Sequence, residues 1–104
     1  MYDLRPGSPT HGRHALVELR GEEQSCLVFP SGIVHGWYHF EDSLHLQAVS
    51  ESYASYNLDD NLICHWSDKD LRIPWPDPAP ILSPRAKQAG SLKELARRLS
   101  RPAA

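Results

Sequence analysis

Proline is the residue that most limits what this chain can fold into. Nine prolines and six glycines are spread over 104 residues, and each proline removes a backbone donor and clashes with the preceding helical turn. Long helices are therefore excluded over most of the chain. The remaining stretches are short runs of β-branched, aromatic and leucine residues separated by Gly, Pro, Asp and Ser. That spacing is typical of antiparallel sandwiches and barrels.

These runs predict an all-β fold with six strands. In the fourth run Leu44, Leu46 and Ala48 share one face, which we expect to point inward. Before the second run, residues 20–23 suggest a hairpin turn in which Gly21 supplies a positive φ. The predicted strands are residues 15–19, 25–29, 36–40, 44–52, 62–66 and 71–73.

The last third of the chain has a different pattern. Residues 74–80 contain four prolines, which favour an extended strap along the surface. After Gly90, Ser91 and Glu94 have the spacing of a capping box. Leucine and alanine then recur on one helical face, so we expect a short helix of about ten residues that must dock in order to persist. The apolar positions of that face are Leu92, Leu95, Ala96 and Leu99.

Charge and cysteine content restrict the partners and the compartment. Eleven Lys and Arg against 13 Asp and Glu give a net charge of −2, which offers no positive field for nucleic acid. No apolar run approaches the roughly 20 residues of a membrane span, and the N-terminus lacks the apolar stretch of a signal peptide. We therefore expect a cytoplasmic protein without membrane contact. Cys26 and Cys64 are expected to be reduced, packed thiols. A single disulfide between them is the alternative.

Residues 30–36, Pro-Ser-Gly-Ile-Val-His-Gly, are the most specific stretch. Pro30 and Gly32 can form a tight corner, after which His35 begins the next strand with its imidazole set by the turn. Such a histidine can carry protons, bind anions or ligate a metal. The alternative is a structural histidine that is hydrogen-bonded to the backbone at a barrel corner.

The Pro-x-Gly-x-x-His-Gly pattern resembles the second cupin motif, specifically that of the dTDP-4-dehydrorhamnose 3,5-epimerase family. Four further segments resemble that family in the same order, namely residues 3–12, 63–68, 71–76 and 81–84. The resemblance implies a cupin-like jelly-roll barrel, here shortened, that is usually dimeric and binds a thymidine-diphosphate keto-sugar without a metal. Residues 1–82 would form the barrel, and residues 83–104 the C-terminal strap and helix of the same domain.

The family's chemistry removes protons from carbons 3 and 5 and returns them from the other face, which requires a base and an acid. The family's histidine base lies before the segments that this chain matches. Its acid, a tyrosine, aligns with Ala48, and the aspartate that orients the base aligns with Ala86. Tyr53 and Tyr56 could replace the acid only through a register shift. The resemblance therefore predicts weak or no standard epimerisation.

His35 is the residue that carries over, since its counterpart contacts the sugar nucleotide. We predict a substrate site of His35, Trp37 and His39, with no cofactor. A metal is not expected, because His35 and His39 would lie about 13 Å apart along a strand. The nearest imitation of a first metal motif, His11, His14 and Glu18, has the wrong spacing.

Other chemistry-bearing residues have simpler explanations. Cys64 and His65 would point to opposite faces of a strand. Residues 59–61, Asp-Asp-Asn, are typical of a solvated turn. Trp66 and Trp75 are expected in the core.

Three functions remain open. The first is a nucleotide-sugar-binding relative of the epimerases that forms a homodimer. The second is a non-catalytic module that pairs with itself or with a full-length relative. The third is a different reaction in which His35 works with His39 or His45.

Overall fold

The computed structural model describes residues 1–52, 54–55 and 62–100. In this part of the chain, strand β1 (Tyr2–Asp3) pairs antiparallel with strand β2 (Ile33–Val34). A 3₁₀ turn spans Gly21–Glu23, helix α1 spans Pro84–Lys87, and helix α2 spans Leu92–Leu99. None of the helices in the described ranges is both long and apolar enough to cross a bilayer.

β1 lies at the centre of the N-terminal structure because it bonds to chain segments on both of its sides. On one side Tyr2 bridges to His14, and the Asp3 amide donates to the Arg13 carbonyl at 2.9 Å. On the other side Asp3 lies opposite Ile33 in the register of β1 and β2. The first fifteen residues therefore fold back on themselves and hold β2 against them.

The structure contradicts the six predicted strands. Within the described residues, none of those six runs forms a strand, although Cys64 makes an isolated parallel bridge to Gly90. A strand needs a hydrogen-bonded neighbour and a covered apolar face. The face expected to point inward is instead open to solvent, since Leu44 is 91% and Leu46 87% exposed.

The predicted turn at residues 20–23 is also built differently. The chain forms a 3₁₀ turn there, and the positive φ of 49° falls on Gln24 at the end of the turn instead of on Gly21.

The helix predicted after Gly90 is confirmed, with eight residues instead of ten. Ser91 Oγ accepts from the Glu94 amide at 3.2 Å, and Glu94 Oε2 accepts from the Ser91 amide at 2.8 Å, which completes the capping box. Asp68 Oδ2 accepts from the Leu92 amide at 3.0 Å, so a distant turn also caps α2. The strap of residues 74–80 is neither helix nor strand, as its prolines predict.

The core lies between α2 and the N-terminal strands. Leu71, Leu92 and Leu95 are buried together in the described part of the chain. The other residues packed on the cluster are Tyr2, Leu4, Cys64, Val34, Leu62 and Ile73.

The two cysteines differ in their surroundings, and both thiols are free in this structure. Cys64 packs beside the core, and burial, with a smaller contribution from the charge of Asp68, raises its pKa to about 11. The packed thiol predicted for Cys26 is wrong, because Cys26 is exposed.

Candidate functional site

The corner at residues 30–36 is formed by a glycine that no other residue could replace without strain. Gly32 has a φ of 87°, and its carbonyl accepts from the Leu4 amide at 3.1 Å. A Cβ built on Gly32 would lie 2.5 Å from Arg5 Cγ. β2 follows immediately, so the strand after the corner is Ile33–Val34 and ends before His35, instead of starting at His35 as predicted.

These contacts predict that alanine costs more stability at Gly32 than at Gly36, the two glycines of the corner. Gly32→Ala should lower the free energy of unfolding by about 1–2 kcal/mol from its backbone conformation alone, with the collision against Arg5 added. Gly36 is the matched control, because a Cβ there would meet Trp75 at an ordinary 3.6 Å. Urea denaturation of the two variants measures the difference. Equal losses of stability would contradict the description of the corner.

The imidazole of His35 is fixed by the corner that precedes it. Its Nδ1 lies 3.3 Å from the carbonyl oxygen of Ile33, and its Nε2 lies 3.5 Å from Gln47 Nε2. Because a carbonyl only accepts, the first contact requires the proton on Nδ1. Nε2 is then the acceptor, and it faces the amide nitrogen of Gln47. This is the backbone-bonded corner histidine of the structural alternative.

A row of five rings extends from His35. The centroid of His35 lies 4.6 Å from that of Phe29 and 6.2 Å from that of Trp37. Trp37 in turn lies 4.2 Å from His45, which lies 6.1 Å from His39. We call these five residues the ring row. The three residues predicted for the site therefore do lie together, and Phe29 and His45 join them from other segments.

Gly36 and Tyr38, which alternate with His35, Trp37 and His39 along the chain, face the proline strap of residues 74–80. A Cβ on Gly36 would contact the Trp75 ring, and Tyr38 Oη donates to Asp77 Oδ2 at 3.3 Å. Burial first, and then the Asp77 charge, raise the pKa of the Tyr38 hydroxyl. Trp75 Nε1 also donates to the Trp66 carbonyl at 2.9 Å. Segment 35–39 thus keeps the two-residue alternation of a strand, with rings on one side and the strap on the other.

The ring row is an open face. His35 and His39 are exposed, and Trp37 is 38% exposed. Two cavities lie elsewhere. One of about 690 Å³ lies between α1 and α2, and one of about 300 Å³ lies between the strap and residues 66–73. Trp66 and Trp75, expected in the core, are half-buried and line the second cavity.

The positions aligned with the family's acid and aspartate bring no proton carrier to the site. Ala48 is exposed and Ala86 lies in α1. Tyr53, Tyr56 and residues 59–61 lie outside the described residues. In the described ranges, no three His, Cys, Asp or Glu side chains are grouped so that they could hold a metal ion.

Comparison with known proteins decides the family. Residues 1–94 match the family model described as dTDP-4-dehydrorhamnose 3,5-epimerase. The chain belongs to this family. The family resemblance predicted from the corner and its four companion segments is thereby confirmed.

Curated relatives of this epimerase family cover most of the chain. The chain is 32% identical over 81 residues to the dTDP-4-dehydrorhamnose 3,5-epimerase of Shigella flexneri, covering 78% of the chain and 44% of the relative. It is 30% identical over 96 residues to that of Escherichia coli K12, covering 91% and 51%. The dTDP-4-dehydrorhamnose 3-epimerase of Streptomyces niveus is 34% identical over 92 residues, covering 88% and 44%.

The chain thus spans about half the length of these three epimerase relatives. No solved structure matches it.

Proposed function

We propose that this chain binds a nucleotide-linked 4-keto-6-deoxy sugar at the ring row and does not carry out standard 3,5-epimerisation by itself. The observation that carries the proposal is that His35, Trp37 and His39 lie in one continuous row of rings on a single open face. The proposal includes the family's cupin-like jelly-roll barrel. The antiparallel pairing of β1 with β2 at the corner supports that fold.

The ring row suits the two halves of such a ligand. Trp37 offers a flat apolar ring that can stack on a pyrimidine base or on a hexose face. Imidazoles donate to phosphate oxygens when they are protonated, and these hydrogen bonds are strengthened by charge. His39 and His45 provide two such groups in the ring row, and His35, with its proton on Nδ1, adds an acceptor at Nε2 for an N–H or hydroxyl of the nucleoside. A diphosphate linked to a base and a sugar combines both requirements.

Standard epimerisation needs groups on both faces of the sugar, because the proton leaves one face and returns to the other. The imidazoles of the ring row would all approach from one side. Tyr38 faces the strap and is bonded to Asp77. Ala48 and Ala86 present methyl groups that cannot exchange protons. The described residues therefore support binding of the sugar nucleotide without turnover.

Binding is tested with dTDP, the part of the ligand that does not react. At a dTDP concentration of about 100 times Kd, we expect the melting temperature to rise by roughly 10 °C. His35→Ala should abolish the rise. His11→Ala is the matched control, because His11 is exposed in the turn after β1 and does not belong to the ring row. No rise in the native chain, or an equal rise in His35→Ala, would refute binding at the ring row.

The absence of turnover is tested with dTDP-4-keto-6-deoxyglucose in heavy water. Because the described residues place no acid and base on the two faces of the sugar, we expect no deuterium at carbon 3 or carbon 5, as followed by NMR at high protein concentration. Deuterium at either carbon would show that the chain retains the proton transfer of its relatives.

A second candidate function is a non-catalytic module that pairs with another copy or with a full-length relative. The observation that favours it is the exposed apolar surface of residues 28–49, which a soluble monomer rarely leaves uncovered. The exposed side chains include Val28, Phe40, Leu44, Leu46 and Val49. Pairing along an unbonded backbone edge would cover them.

This module predicts a homodimer in solution. Sedimentation equilibrium should give twice the mass of 11.7 kDa, and replacing Leu44 and Leu46 together with aspartate should return the mass to that of one chain. A chain that is monomeric before the substitution would contradict self-pairing.

A further inference from the structure

Among the described residues outside the ring row, the carboxylate of Asp3 accepts five hydrogen bonds and is 5% exposed. Oδ1 accepts from the Arg5 amide at 2.9 Å and from Arg5 Nε at 3.0 Å. Oδ2 accepts from Arg5 Nη2 at 2.8 Å, from Ser8 Oγ at 2.7 Å and from Thr10 Oγ1. The two Arg5 side-chain bonds form a fork, which fixes the guanidinium in one orientation.

The fixed Arg5 side chain lies over the corner glycine. A Cβ on Gly32 would lie 2.5 Å from Arg5 Cγ and 3.3 Å from Arg5 Cδ. The aliphatic stem of Arg5 therefore fills the space that a side chain at position 32 would need. The neighbouring Leu4 amide donates to the Gly32 carbonyl at 3.1 Å. The corner is therefore held from two directions by the segment that Asp3 immobilises.

The corner in turn sets the ring of His35. Asp3 lies directly opposite Ile33 in the pairing of β1 with β2. The carbonyl oxygen of Ile33 is the atom that His35 Nδ1 approaches at 3.3 Å. A change in the direction of this carbonyl would change which ring nitrogen carries the proton and where the other nitrogen points.

We propose that Asp3 and Arg5 are positioning residues for His35, which lock the Gly32 corner so that His35 keeps its proton on Nδ1 and presents Nε2 toward a ligand. The effect on the ligand rests on the proposed function, whereas the effect on the imidazole does not. Neither Asp3 nor Arg5 belongs to the ring row, and both act through the backbone of residues 32–33.

The tautomer of His35 tests the positioning directly. Long-range ¹H–¹⁵N NMR of the imidazole nitrogens, assigned by the loss of signals in His35→Ala, distinguishes the protonated from the unprotonated ring nitrogen. In the native chain we expect the proton on Nδ1. In Asp3→Asn, and in Arg5→Lys, which keeps the charge and the stem but loses the fork, we expect a shift toward the proton on Nε2.

Two control variants separate positioning from general destabilisation. Glu18→Gln removes the carboxylate of an exposed pair with Arg20 that has the same two-residue spacing as Asp3 and Arg5. Ser91→Ala removes the cap of α2 and weakens the fold away from the corner. Neither control should move the His35 signals. If Asp3→Asn fails to fold by circular dichroism, Arg5→Lys decides the result.

The same variants are then titrated with dTDP, whose affinity should fall about tenfold in Asp3→Asn, because Nε2 would no longer accept a hydrogen bond from the thymine N3–H or the deoxyribose hydroxyl. A changed tautomer with no dTDP binding to the native chain would refute the proposed function and leave the positioning intact. An unchanged tautomer in the folded variants, or an equal change in the controls, would overturn the positioning.

Discussion

Leu95→Ala is expected to lower the free energy of unfolding by about 3 kcal/mol, within the range for leucine truncations in cores. Leu95 is 6% exposed and packs with Leu71 and Leu92, the other buried apolar side chains of the described residues. A core of this size has few neighbours that could collapse into the space left by three carbons and their hydrogens. The loss would be a large fraction of the stability of a small domain.

Leu99→Ala is the matched control, since Leu99 lies one turn further along α2 and is 52% exposed. The same truncation there should cost less than about 1 kcal/mol. Urea denaturation followed by tryptophan fluorescence gives both values. Similar losses at the two positions would mean that α2 does not dock through the face containing Leu95.

α2 could be predicted from the sequence because everything that specifies it is local. The capping box joins Ser91 to Glu94, and the apolar face repeats within eight residues. α1 is not among the predicted elements, although Ser83 caps it and Pro84 occupies its first turn, which are both ordinary start signals. Its four residues present no apolar periodicity, so the pattern around Pro84 matched a strap equally well.

The strand pairing could not be predicted because it depends on contacts between distant residues. The alternation in the sequence correctly separates His35, Trp37 and His39 from Gly36 and Tyr38. It does not say which backbone lies beside that segment. β1 instead pairs with residues about thirty positions away, where the hydrogen bonds of Asp3 and the glycine corner select the register.

The candidate site also has a part that the sequence predicts and a part that depends on distant contacts. The spacing of His35, Trp37 and His39 predicts that they share a face, and they do so in one row. Phe29 and His45 reach that row from segments before and after it, and no spacing rule connects those segments. The family resemblance depends on short motifs, and these are recognisable without any knowledge of how the segments pack.

Acid is expected to destabilise this chain through Asp3 more than through any exposed carboxylate. The side-chain hydrogen bond from Arg5, followed by that from Thr10, holds the pKa of Asp3 well below its usual range. The same sign applies to Asp68, whose pKa is lowered first by the hydrogen bond from the Leu92 amide. Both carboxylates are therefore deprotonated in the folded chain at pH values where the unfolded chain has begun to bind protons.

The direction of the effect follows from this difference. Above the unfolded pKa of about 4, Asp3 is ionised in both states and its contribution to stability is complete. As the pH falls below about 4, the unfolded state binds the proton first, and stability is lost continuously toward the lower folded pKa. Asp3→Asn removes this proton uptake, so the loss of stability between about pH 4 and pH 2 should be less steep in that variant.

The measurement is the urea midpoint of unfolding between about pH 2 and pH 7 for the native chain, Asp3→Asn and Glu18→Gln. At neutral pH the Asp3→Asn midpoint should lie well below the native one, because the Asn amide nitrogen would face donors of Arg5, Ser8 or Thr10. The two midpoints should converge as the pH falls. Glu18→Gln should follow the native curve, since its pair with Arg20 is exposed and contributes little. Parallel native and Asp3→Asn curves would mean that the carboxylate is not held ionised by its five donors in the folded chain.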